Sequence, residues 1–148
     1  MFNPSTEDVR RFFCETARKQ REGAVLTPLE AMAADAIAAH PEYAEELADL
    51  ESALTRNYSV EDGRTNPFLH LAMHLAIAEQ VQVDQPHGIR AAYTQLASRR
   101  GSEHEAMHEV MEALGRVIWE AQRASTPLGA EEMSGRYIDA VLARATRD

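Results

Sequence analysis

Four of the six histidines fall into two pairs spaced i, i+4: His70 and His74 in "NPFLHLAMHLAIAEQ", and His104 and His108 in "SEHEAMHEVMEALG". On a helix, residues four apart share a face with Cβ atoms about 6 Å apart, so both rings of such a pair can reach one ion. Two pairs on facing helices would supply the four donors of a tetrahedral site. All-imidazole ligation points to Zn or Fe, with Ni or Cu as alternatives, rather than to Mg or Ca.

The second pair also matches three known ligand patterns. "HEAMH", residues 104–108, has the form of the zinc-peptidase motif, in which Glu105 would act as general base. Here Glu103 and Glu109 flank it, no third histidine follows at metzincin spacing, and an all-helical chain offers no edge strand to align a peptide. A zinc hydrolase is therefore a minor alternative. "EAMH" resembles half of a di-iron carboxylate site, but the second copy is missing. His104, His108 and Glu112 form a line at i, i+4, i+8, in the manner of the histidine-rich sites of haemerythrin-like bundles. Eight residues rise about 12 Å, so the outer two cannot share one ion. Glu105 and Glu112 thus join His70, His74, His104 and His108 as candidate additional ligands or outer-shell partners.

Other chemistry-bearing residues read as structural. His40 precedes Pro41 and is expected to satisfy carbonyls and the dipole at a helix C-terminus. His87, between Pro86 and Gly88, reads as a turn residue, and Cys14, with no evident local base, as core filler. No glycine-rich phosphate loop and no GxSxG occurs, and no catalytic residue is assigned.

The elements that must position these rings are helical. Ser5 or Thr6 caps a first helix that stops at Gly23. Thr27, Pro28 and Glu30 open a second with a capping box, running to about His40, and Pro41 opens a third over "PEYAEELADLESALT". "NYSVEDGRT" is a loop, after which Asn66 caps and Pro67 begins the apolar helix of His70 and His74, which has apolar residues on all sides and ends before "DQPHG". "GIRAAYTQLASRRG" gives another helix, and Ser102 with Glu105 caps a long one over "SEHEAMHEVMEALGRVIWEAQRA". "AEEMSGRYIDAVLARAT" is the last. On the long helix the apolar arc is Met107, Val110, Met111, Leu114, Val117, Ile118 and Ala121, with His104 and His108 at its edge above Gly115 and Trp119. His70 and His74 share a stripe with Ile77 and Val81. No alternating strand pattern appears, so residues 1–148 are expected to form a single all-α domain, a bundle of about six to seven helices.

The blocks "HPEY", "TNPFLHLAMHLAIAEQ", "QPHGI", the His104/His108 helix and "WEAQR" resemble the bacterial family catalogued as domain of unknown function 1841, over most of residues 25 to 124. The resemblance implies a bacterial source and no particular activity. Family members often carry a basic residue before the proline of the "QPHG" segment, where this chain has Gln85.

Charge and length bound the rest. With 148 residues the chain can bury a core without a structural metal. Acidic residues outnumber Lys and Arg 24 to 15, for a net charge of -9, which argues against nucleic acid as a partner because phosphate affinity rests on clustered cations. The longest apolar run is too short for a membrane span. One cysteine and an opening without a basic start and apolar run point to the cytoplasm. The reading that combines these features is a small cytosolic helical protein with a histidine-rich metal site. Its alternative is a metal-free module that binds a protein partner or a second copy of itself, with the histidines structural.

Overall fold

The computed structural model describes residues 5–56, 58 and 66–146. Among them are eight α-helices and no strand: α1 (Thr6–Glu22), α2 (Pro28–Ala39), α3 (Ala44–Ala48), α4 (Leu50–Thr55), α5 (Pro67–Val83), α6 (Ile89–Arg100), α7 (Glu103–Arg123) and α8 (Ala130–Ala145). None of these helices is long and apolar enough to cross a membrane. The loop expected at residues 57–65 lies outside the described residues except for Tyr58.

Helix ends follow local hydrogen bonding. Ser5 and Asp8 form a reciprocal capping box on α1, and Thr27 and Glu30 form another on α2. Asn66 Oδ1 accepts from the backbone N–H groups of Phe68 and Leu69 at the start of α5, and Ser102 Oγ accepts from Glu105 N at the start of α7. These side chains satisfy donors that an open helix end leaves without intrahelical partners.

The single third helix expected over residues 41–55 is instead a 3₁₀ turn at Pro41–Tyr43 followed by α3 and α4. Asp49 makes the break. Its backbone is extended (φ -120°, ψ 96°) and its carboxylate accepts from Ser52 N at 3.2 Å, so it serves as the N-cap of α4 rather than as a residue within a continuous helix.

By its contacts the chain divides into two units, Met1–Leu75 and Ala76–Asp148, the boundary falling within α5. In the first unit, Phe13, Cys14 and Ala17 of α1 pack with Ala33 and Ala36 of α2, Leu47 of α3, Ala53 of α4, and Phe68 and Leu71 of α5. Cys14 is thus core, and burial pushes its thiol pKa up, away from nucleophilic use. Arg10 is buried as well, its Nη1 donating to the carbonyls of Ala53 and Arg56 at the end of α4, with the guanidinium over the Tyr58 and Phe68 rings.

In the second unit α6, α7 and α8 pack pairwise on one another. Ile89, Ala92 and Leu96 of α6 are buried, as are Ala106, Val110, Met111, Ala113 and Val117 of α7 and Tyr137, Val141 and Ala145 of α8. The buried stripe of α7 is therefore centred nearer Ala106 and Ala113 than the wheel suggests, and Ile118 and Trp119 are exposed. Nor is α5 apolar-buried on every side, since Leu69 is 60% exposed.

Candidate metal centre

The residue before a proline is driven out of the α region, because the proline ring collides with its backbone. His40 precedes Pro41, and α2 accordingly ends there: His40 N still donates to Ile37 O at 3.0 Å, but its own backbone has turned to φ -128°, ψ 67°. The chain then enters the 3₁₀ turn, and the His40 side chain is buried, at 6% exposure.

His70 and His74 come from α5, one helical turn apart, their ring centroids 4.9 Å from each other. His74 is 5% exposed and His70 half-buried. Phe68, Leu71 and Ile77, all essentially inaccessible, hold the helix in place around them.

These three imidazoles converge. His40 Nε2 lies 2.9 Å from His74 Nε2 and 3.2 Å from His70 Nε2, and ring nitrogens of all three lie within 4.8 Å of one another. An Nε2 has either one hydrogen or one lone pair, so an N–H···N bond can join His40 to one of its neighbours but not to both. A cation accepts all three lone pairs at once. Four nitrogens at about 2.0 to 2.1 Å from a tetrahedral metal stand about 3.3 Å apart, only a few tenths of an ångström wider than the two distances at His40 Nε2. The cluster could therefore hold a metal ion with small adjustments of the rings.

On its other side, His40 Nδ1 is 2.8 Å from Glu42 Oε2. The hydrogen bond from His40 is the main cause that holds the Glu42 carboxyl below the ordinary carboxylate range. The Tyr43 ring stacks on the His40 ring, with centroids 5.2 Å apart and planes within 16°. Burial pushes the Tyr43 phenol pKa up.

The sequence pattern marks His70 and His74 but treats His40 as a helix-end residue bonded to carbonyls. The structure corrects this: the ring of His40 faces the other two imidazoles and Glu42. The available sign was the buried-helix pair itself, which needs further donors, together with the adjacent "HPEY" block.

The other candidates belong to the second unit. His104 is exposed in the first turn of α7, and its ring meets that of half-buried His108 at a centroid distance of 4.2 Å. Glu105 is exposed. Glu112 is exposed too and accepts from Arg144 Nη1 at 2.8 Å. His87 is a surface turn residue, 94% exposed at its side chain, with Nδ1 3.0 Å from Asp84 Oδ2. Asp84 in turn accepts from the backbone N–H groups of Gly88 and Arg90, which open α6, and these bonds, with Arg90's the largest cause, hold its carboxyl below the usual range. Among the described residues, no carboxylate or thiolate joins the imidazoles in a metal-holding group.

The family described as Domain of unknown function (DUF1841) matches the chain over residues 5–141. No curated protein and no solved structure gives a match.

Proposed function

The chain belongs to the DUF1841 family, whose description assigns no activity, and we propose from its own chemistry that it binds one transition-metal cation through His40, His70 and His74. The observation that carries this reading is the approach of His40 Nε2 to both His70 Nε2 and His74 Nε2. Burying polar rings costs free energy unless their polar atoms are compensated, and one cation can compensate several imidazole lone pairs at once.

Tetrahedral coordination leaves a fourth position beyond the three rings. His104 is exposed, and Glu112 is engaged by Arg144, so neither is assigned a bond to the metal. An all-imidazole set favours Zn, Fe, Ni or Cu over Mg and Ca, which prefer oxygen.

The test is calorimetric titration of the full chain, made without a histidine tag and stripped with chelator, against Zn, Ni, Cu and Mg in turn. The expected result is one tight equivalent for the nitrogen-preferring ions, none for Mg, and loss of that equivalent in His40→Ala and His74→Ala. No uptake of any of these ions, or uptake indifferent to both substitutions, overturns the proposal.

A further inference from the structure

Resting on that metal reading, we propose that Glu42 is the positioning residue of the centre: its carboxylate takes the Nδ1 hydrogen of His40 and thereby fixes the tautomer whose Nε2 lone pair faces His70 and His74. One observation and two consequences of imidazole chemistry support it. The Nδ1 to Oε2 distance of 2.8 Å is that of a charge-assisted hydrogen bond. Neutral imidazole has one hydrogen for two nitrogens, so a hydrogen held at Nδ1 leaves Nε2 as the donor atom toward a metal. The opposite tautomer would point a hydrogen at the place where the cation must sit.

The stretch from His40 to Tyr43 supplies this arrangement by itself. Pro41 starts the 3₁₀ turn, Glu42 two residues on from the histidine reaches the far side of its ring, and Tyr43 stacks on the ring face. Ring position, ring orientation and hydrogen placement are thus set within four residues, whereas the two partner rings come from α5, 30 and 34 residues away. A carboxylate behind a ligating imidazole also makes it a better electron donor, and removing such a partner commonly weakens metal binding about 10- to 100-fold.

The experiment compares the full-length wild type with Glu42→Ala and Glu42→Gln. It has two readouts: Zn affinity by competition with a chromophoric chelator, and the His40 tautomer in metal-free protein by ¹⁵N-resolved NMR of the ring nitrogens. The wild type should show Nδ1–H at His40. Glu42→Ala should raise the Nε2–H form and weaken Zn about 10- to 100-fold. Glu42→Gln, which keeps an oxygen acceptor without the charge, should retain more of the tautomer than the alanine variant does.

Unchanged Zn affinity in Glu42→Ala overturns the inference and leaves the metal reading standing. Weakened affinity with an unchanged tautomer also overturns it, because the effect would then come from packing alone. A wild type that takes up no Zn overturns the metal reading itself, and this inference falls with it.

Discussion

Replacing His40 by alanine separates metal binding from ordinary packing. A ligand that binds only the folded state adds RT ln(1 + [L]/Kd), so wild type at a hundred times its dissociation constant should gain about 2.7 kcal/mol. For a chain of 148 residues that corresponds to a rise in Tm of about 5 to 10 °C. His40 Nε2 is the atom nearest both other rings, at 2.9 and 3.2 Å, so its removal takes away the donor common to both pairs. If the variant binds about a thousandfold more weakly, a loss of about 4 kcal/mol, the same free metal stabilises it by less than about 0.1 kcal/mol. The substitution also leaves a cavity and removes the Tyr43 stacking and the Glu42 hydrogen bond, which lowers stability with or without metal. Comparing each protein with itself, metal-loaded against chelator-treated, cancels that part. The assay is thermal unfolding followed by far-UV circular dichroism at fixed free Zn. If His40→Ala keeps the full Zn-dependent rise, His40 is not a ligand and the reasoning from the converging nitrogens is refuted.

Three further outcomes follow from packing and charge. Leu71→Ala in the fully buried core of the first unit should cost about 2 to 5 kcal/mol in denaturant titrations, and a loss below about 1 kcal/mol would contradict the burial. Tyr137 donates to Gln80 Oε1 at 2.6 Å, so Tyr137→Phe should cost about 1 kcal/mol in the same assay while leaving Zn affinity unchanged, and a drop in Zn affinity would show that this bond serves the metal. The carboxyl of Glu30 is held below its ordinary value near 4.5, chiefly by the Lys19 ammonium at 2.8 Å and then by the Thr27 backbone. Its stabilising share is therefore complete above that value and fades as pH falls through the lower folded-state value. Glu30→Gln should flatten the acid limb of the stability profile, and an unchanged limb would remove Glu30 from the account.

What could be read from the chain was whatever its neighbours in sequence determine. Ser5, Thr27, Asn66 and Ser102 cap helices because each oxygen reaches an N–H two or three residues ahead, a bond that needs no tertiary context. The pair His70 and His74 was visible for the same reason, since helical spacing alone brings the rings together. Asp49 falls inside the stretch whose pattern predicts one continuous helix, yet its side chain competes with the helix and divides it. Ile118 and Trp119 lie on or beside the apolar arc of α7 but are exposed, because periodicity shows which residues share a face and only the neighbouring helices decide where its centre lies. His40 was missed because its position at the end of α2 offers a sufficient local explanation, while the rings it meets are 30 and 34 residues further along the chain.

The central claim, that imidazoles of this chain hold a transition metal, is tested most directly by X-ray absorption spectroscopy of the untagged protein loaded with one equivalent of Zn. The account predicts a first shell of nitrogen at about 2.0 to 2.1 Å with outer-shell scattering from at least three imidazoles, reduced by one in His40→Ala. A shell of oxygen without imidazole scattering, or one identical in His40→Ala, would contradict it.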